Sequence, residues 1–560
     1  MVIYMEIQEV KEFSVENVFN DVVSISRYHR IQGSQGIVDA AKYVLNRLEE
    51  IGVDAKMITD VYDGERYHLT LPSPIAWDII EGELSYENKT FTTKDSPLLV
   101  MAHSPPGEAE GEVLPIFSEE DFEKAEGKIV LVGEKWRDYY KKANEAGAKA
   151  FIAYRKGTGN AFPYIGLFLT KKDLEWAKIP ALTVPESVAS DMIGKAKKGG
   201  VRVKVRVETK ILTKRDLPIV YAKIGEPPYV LFSAHICHPK PGANDNASGS
   251  AMLIELARIL SKVEGRVGFA FLWIPEYHGT QAFIPKVKTE EFYANINLDM
   301  VGGSEDRANS TIMLVRTPLS RFSIISGIAE MFIEKYNSGG SSFSGSPLPR
   351  MKFKAYPYEM GSDHDIFNIF SVPGIMPITW PDNYYHTSAD TPEKLSLESL
   401  SIIGKAVLST AIFLAKAEKD ELERVARGYT MKYLGELGVE RKIEVAESFV
   451  MDGLARDSKF LGLNMGHELE EDGWIVWKDR GIISTKKIEY INEKLANRLK
   501  DIYEDGRMTI VHIHEFLMLS ERVKEEKAWK ALRDEYGKIK EDRVKEAVKI
   551  LEELNIISPM

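Results

Sequence analysis

The chain has 560 residues, 44% hydrophobic and 28% charged, with a formal net charge of −11. That length exceeds what one hydrophobic core serves, so roughly two to four domains are expected, and the acidic balance speaks against a general nucleic-acid binder, whose affinity rests on neutralising phosphates. A single cysteine, Cys237, excludes an intrachain disulfide framework and fits a reducing compartment.

The opening stretch, MVIYMEIQEVKEF, mixes acidic residues with short apolar groups and lacks the apolar centre of a signal peptide. No apolar run approaches bilayer-spanning length, so no membrane is expected and the cytoplasm is the expected location. Residues 15–52 are expected to be helical. Within GIVDAAKYVLNRLEEIGV, Val38, Ala41, Val44, Leu45 and Leu48 recur at helical spacing and Gly52 stands at the C-cap position. An extended run, DAKMITDV, follows.

Between about residues 72 and 210 the short runs SPLLVMAH, GKIVLVGE, KAFIAY, IPALTVP and VRVKVRVE enclose one helix, RDYYKKANEAGA, and predict a separate β-rich module. From residue 211 strand, loop and helix alternate. VLFSA, VGFAFLWI, FYANINLDMV and IMLVR predict buried strands; GSAMLIELARILSKV, LSRFSIISGIAEMFIEKY and LESLSIIGKAVLSTAIFLAKAEKD predict helices. The expected fold is therefore α/β, with a mostly parallel central sheet flanked by helices. It would be built from residues 1–71 and 211–420, with the β-rich module inserted at 72–210 and a helix-rich domain at 421–560.

Such sheets place their sites at the carboxyl ends of the strands, and there the sequence carries metal-ligand chemistry. LFSA runs into His235, with Asp245 ten residues on; FLWI runs into Glu276, NINL into Asp299, and the last strand towards His386 in YYHTSADT. Imidazole and carboxylate are the donors a zinc-like ion takes, and a spare glutamate can accept a proton from water. Each residue also has a local reading: Asp245 as helix N-cap, Glu276 as a solvated loop acid, Asp299 as a turn former. Their recurrence at successive strand ends favours one site.

The order AHIC, GANDNASGS, PEYHG, NLDMVGG, SDHDIF and YYHTSADTPEKL resembles the zinc aminopeptidase family related to glutamate carboxypeptidase and the transferrin receptor, over residues 15–70 and 212–420. The inserted module resembles a protease-associated domain, and the tail resembles the winged-helix segment of an aminopeptidase-like subgroup. The resemblance implies one or two zinc ions, with cobalt or manganese as substitutes, acting on a peptide with a free N-terminus. It assigns His235 and Asp299 to one ion, Asp245 to the bridge, His386 to the second ion, and Glu276 to the role of general base.

One position departs from the family. Tyr277 stands where a second glutamate would bind the second ion, and a phenol with a pKa of about 10 is a poor ligand. His278 is the nearest substitute and His238 another; Cys237 replaces the aspartate that usually orients the first histidine. Asp363 is expected either to meet the substrate ammonium or to hold a loop. Two other functions stay open: a single-zinc glutaminyl cyclase on the same fold, and a binding protein that has lost its metals. In the tail, acidic and basic residues balance over 507–560, so nucleic acid is not expected. The apolar face of Val544, Val548, Leu551 and Leu554 predicts a packing or homo-oligomer contact.

Overall fold

A computed structural model describes residues 7–560. Its larger sheet has eight strands. In spatial order they are Ala55–Tyr62, Arg215–Ile224, Gly268–Ile274, Tyr229–His235, Phe292–Asn297, Gly374–Trp380, Thr311–Val315 and Phe353–Tyr356. The four strands from Gly268–Ile274 to Gly374–Trp380 run parallel, as expected. The margins differ: Arg215–Ile224 pairs antiparallel on both sides and Thr311–Val315 runs antiparallel to Gly374–Trp380, so the sheet is mixed.

The three innermost strands, 229–235, 268–274 and 292–297, are buried along their whole length, because helices cover both faces. Val230, Phe232 and Ala234 enter a large apolar cluster with helices Val15–Ile25, Gln35–Glu50, Gly249–Leu260 and Leu397–Lys416. Leu231 points the other way, into a cluster with Phe283, Ile366 and Phe367. The period-two alternation of a strand thus becomes two apolar faces.

Helix Leu397–Lys416 corrects one expectation: it is long and apolar enough to cross a membrane. Leu400, Ile403, Val407, Ala411 and Leu414 lie buried in the main core, where an apolar helix is required for packing.

Strands between Ala76 and Leu212 form a second, seven-stranded sheet with its own apolar cluster, and helices Trp136–Glu145 and Glu186–Lys198 pack within this part of the chain. Its last strand, Arg202–Leu212, leads directly into Arg215–Ile224 of the larger sheet. From Lys419 onward the chain is mainly helical, with one strand pair, Ile475–Trp477 against Ile557–Pro559. These helices do not build a core apart. Leu437, Phe449, Leu499, Ile513 and Leu532 join the same cluster as the sheet. Val544, Val548 and Leu551 are buried in it too, so that face serves packing within the chain.

Candidate metal centre

His235 is the last residue of its strand, and the loop behind it is held by a side chain from far away in sequence. Arg30, fully buried, donates to the carbonyl oxygens of Ile236, Pro241 and Gly242 as well as Ile25 and Tyr28, at 2.7 to 3.2 Å. The next segment is clamped by Asp390, whose carboxylate accepts the backbone N–H groups of Asn244 and Asp245 at 2.8 and 3.0 Å. Asn246 donates to the Leu298 carbonyl and accepts from the N–H groups of Gly249 and Met300, which ties the Asp245 loop to the Asp299 turn. Gly242, at φ +51°, lies against His238: a Cβ there would run into His238 Nδ1 and the Asp245 carbonyl.

This scaffold brings the side chains into two groups that share one carboxylate. His235 Nε2 lies 3.2 Å from Asp245 Oδ1 and 3.3 Å from Asp299 Oδ1. On the other side, Asp245 Oδ2 lies 3.3 Å from His238 Nε2 and 3.1 Å from His386 Nε2. Within each group the donor atoms are all within 4.8 Å of one another. The imidazoles are oriented from behind. His235 Nδ1 is 3.0 Å from the Cys237 carbonyl oxygen and His238 Nδ1 is 2.8 Å from that of Pro239, so each Nδ1–H donates there and Nε2 is the nitrogen turned towards the carboxylates.

The sequence expectation for the second group is corrected here. His278 is in neither group; its Nδ1 sits 3.1 Å from His68 Nδ1, with the two rings edge to face. The reason is local. Tyr277 has φ +58°, and this left-handed turn starts the helix His278–Phe283, carrying residue 278 away. The Tyr277 hydroxyl donates to Asp365 at 2.7 Å, and burial together with the Asp365 charge raises its pKa well above the ordinary value. Asp363 is also placed differently from the substrate-contact expectation. It is fully buried, and Oδ1 accepts from the Tyr277 N–H at 2.8 Å and from the Thr280 hydroxyl, so it holds the turn. Met300 and His386 share the positive φ of Tyr277, at +56° and +53°, conformations that non-glycine residues adopt at a cost and that cluster at functional sites.

Glu276 stands at the carboxyl end of Gly268–Ile274. Its N–H donates to Cys237 Sγ at 3.1 Å, and its carbonyl accepts from Gln32 at 3.0 Å. Burial pushes its carboxyl well above the usual range; the charge of His235 opposes that, while Asp299, Asp363 and Asp245 add to it. His235 is raised as well, but against burial: burial would lower its pKa, and Asp299 and Glu276 hold it well above its ordinary value. Asp245, despite burial, is held well below its usual value by His238, His235 and His386. Burial lowers His386 and raises the Cys237 thiol, which disfavours thiolate at Cys237.

The donor set fits a divalent ion. Nitrogen and oxygen donors converge in groups of three, and Asp299 Oδ1 and His238 Nε2 are buried without a hydrogen-bond partner. A cavity of about 520 Å³ opens on these groups and on Glu276, with Tyr164, Arg137 and Phe168 of the inserted part on its other wall. Tyr164 packs edge-on to His238 and His386 at 5.1 and 5.0 Å, and its N–H donates to the His386 carbonyl at 2.6 Å. Arg30 and Tyr164 had no signal in the local sequence, whereas Asp390 is the aspartate of the YYHTSADT motif; Arg30 and its Ile236 partner are 206 residues apart.

Fold and donor set define an α/β protein with a candidate centre for divalent metal ions. The profile of Peptidase family M28 matches residues 220–411, within the α/β part of the chain. Over 444 residues the chain is 24% identical to the aminopeptidase YwaD of Bacillus subtilis (strain 168), spanning 73% of this chain and 86% of that one. Among solved structures, BSAP, a zinc aminopeptidase from Bacillus subtilis, is 19% identical with a TM-score of 0.53, covering 73% of this chain and 96% of its own. A Peptidase M28 precursor from Shewanella amazonensis SB2B is 16% identical with a TM-score of 0.54, covering 73% of this chain and 95% of its own. These two likenesses concern the fold.

Proposed function

We propose that the chain is a metal-dependent aminopeptidase with a two-ion centre. One ion would be held by His235, Asp245 and Asp299, the other by His238, Asp245 and His386. The observation that carries this reading is the pair of three-donor groups sharing Asp245 on the wall of the cavity that also contains Glu276. Zinc suits nitrogen and carboxylate donors, with cobalt or manganese as substitutes. When bound, the ions would polarise a peptide carbonyl and make a water molecule more acidic.

The chain's own residues do the rest. Glu276 accepts a proton from water at its carboxylate and returns it to the leaving amine. The carboxyls of Asp299, Asp363 and Asp245 make that acceptance easier by raising its pKa. Gln32 and Cys237 fix the backbone of Glu276, and the Cys237 carbonyl fixes the tautomer of His235. Tyr164 packs edge-on against His238 and His386 and lines the cavity beside them. The inserted part is read as a protease-associated domain that forms one wall of the cleft. The exopeptidase reading draws on the likeness to the aminopeptidases YwaD and BSAP.

The test is elemental analysis of the purified protein combined with release of the first amino acid from peptides with free and acetylated N-termini. Two ions per chain, turnover of the free peptide only, and loss of turnover in Glu276→Gln with both ions retained are the expected results. No metal after supply of zinc and cobalt, or equal cleavage of the acetylated peptide, would overturn the proposal.

A further inference from the structure

The cavity over the metal centre continues into a second of about 520 Å³, and the two share Gln32, Arg137, Asp138, Phe168 and Glu276. The second cavity is walled by three parts of the chain: the inserted part, the turn Glu276–His278, and Ile482–Lys486 with Glu489 and Lys500 of the tail. Its lining is rich in cations, but nearly all are neutralised. Lys141 pairs with Glu489 and Glu493, Lys486 with Asp173, and Lys500 with Asp138 and Glu489, at 2.7 to 3.3 Å. At the edge of the first cavity Lys135 pairs with Glu504, and Arg30 is buried among backbone carbonyls.

Arg137 differs. It is exposed to the cleft at the start of helix Trp136–Glu145, and among the described residues it has no carboxylate partner within ion-pair distance. Its side chain is held in place nonetheless. Nε donates to the Gly166 carbonyl at 2.9 Å, and the guanidinium lies over the Phe168 ring at 4.9 Å. Its charge acts on the Tyr164 hydroxyl, as do those of Glu276 and Asp245, so the cation shares the field of the metal centre. An oriented guanidinium without an anion, in a cleft whose other cations are paired, is a receptor for a planar oxyanion.

We propose that Arg137 binds a carboxylate of the substrate beyond the scissile bond, so that the enzyme favours short peptides, dipeptides above all, whose free C-terminus reaches the junction of the two cavities. An acidic side chain at the second position would present the same chemistry. This inference rests on the aminopeptidase reading and names its substrate class.

The experiment uses the full-length, metal-loaded protein and three substrates: leucyl-glycine, leucyl-glycine amide and leucyl-aspartyl amide. The native enzyme should cleave the acid about ten- to a hundredfold better than the amide in kcat/KM, the range of a charge-assisted hydrogen bond, with the difference mainly in KM. In Arg137→Gln the ratio should fall towards one, and Arg137→Lys should restore part of it. Preference for leucyl-aspartyl amide over leucyl-glycine amide, lost in Arg137→Gln, would assign the contact to a side chain. Calorimetry of leucyl-glycine binding to Glu276→Gln, alone and combined with Arg137→Gln, supplies a readout independent of turnover; the double variant should bind more weakly by the same factor. Equal rates for acid and both amides in the native enzyme, or a preference that survives Arg137→Gln, would overturn this inference while leaving the aminopeptidase reading intact. Absence of turnover on every unblocked peptide would instead fail the aminopeptidase reading itself.

Discussion

Replacing His238 by alanine separates the two metal-binding groups. The change leaves His235, Asp245 and Asp299 untouched and reduces the other group to Asp245 and His386. A zinc site with four protein donors contributes about 10–16 kcal/mol, so about 2.5–4 kcal/mol belongs to each donor, and losing one weakens binding by roughly sixty- to a thousandfold. Elemental analysis after dialysis against a chelator should therefore find one ion per chain where the native protein keeps two, and the rise in Tm on adding zinc should shrink accordingly. His278→Ala provides the contrast: its imidazole faces His68 outside both groups, so both ions should stay. Two tightly held ions in His238→Ala, or the loss of one in His278→Ala, would refute the assignment.

Stability should depend on pH through a carboxyl pair far from the metal centre. Glu515 and Glu535 lie buried, where helices Arg507–Ser520 and Glu525–Tyr536 meet the turn Leu319–Arg321, accepting from Ser320 and Leu319. Burial raises Glu515 to about 7 and Glu535 well above its ordinary value, further pushed by Glu515. Because the folded chain holds these protons more tightly than the unfolded chain, their contribution is complete below the ordinary value of 4.5 and is lost as pH rises through about 7. Tm should fall between pH 5 and 8, and Glu535→Gln should flatten the slope; parallel curves for the two proteins would contradict this. Gly242→Ala should cost about 1–2 kcal/mol for the left-handed backbone alone, and should also displace His238. A drop in Tm together with loss of one ion is expected, while unchanged metal content would show that the loop accommodates a methyl group.

Much of the fold could be read from local pattern. Apolar runs at 229–235, 268–274 and 292–297 are continuous because those strands are buried on both faces, and a run of this kind needs no distant partner to be recognised. His235, Glu276 and Asp299 were legible for the same reason: each stands at the end of such a run or two residues beyond it, and strand ends are where a parallel sheet exposes side chains. The antiparallel margins were not legible, since strand direction is set by how the chain returns to the sheet, after the inserted part in one case and across Gly374–Trp380 in the other.

The residues themselves therefore determined the chemistry available to this protein: imidazoles and carboxylates in a set order, and one further glutamate at a strand end. Only the tertiary structure decided which histidine completes the second group. Along the chain His278 is the nearer substitute and His238 the other, but the left-handed turn at Tyr277 swings His278 towards His68, while Arg30 and Gly242 fold the 236–242 loop so that His238 faces Asp245. The same holds for Arg137 and Tyr164, which reach the cleft from a part of the chain with its own core. Contacts between segments separated by a hundred residues or more follow from tertiary packing, and packing of that kind leaves no periodic mark on either segment.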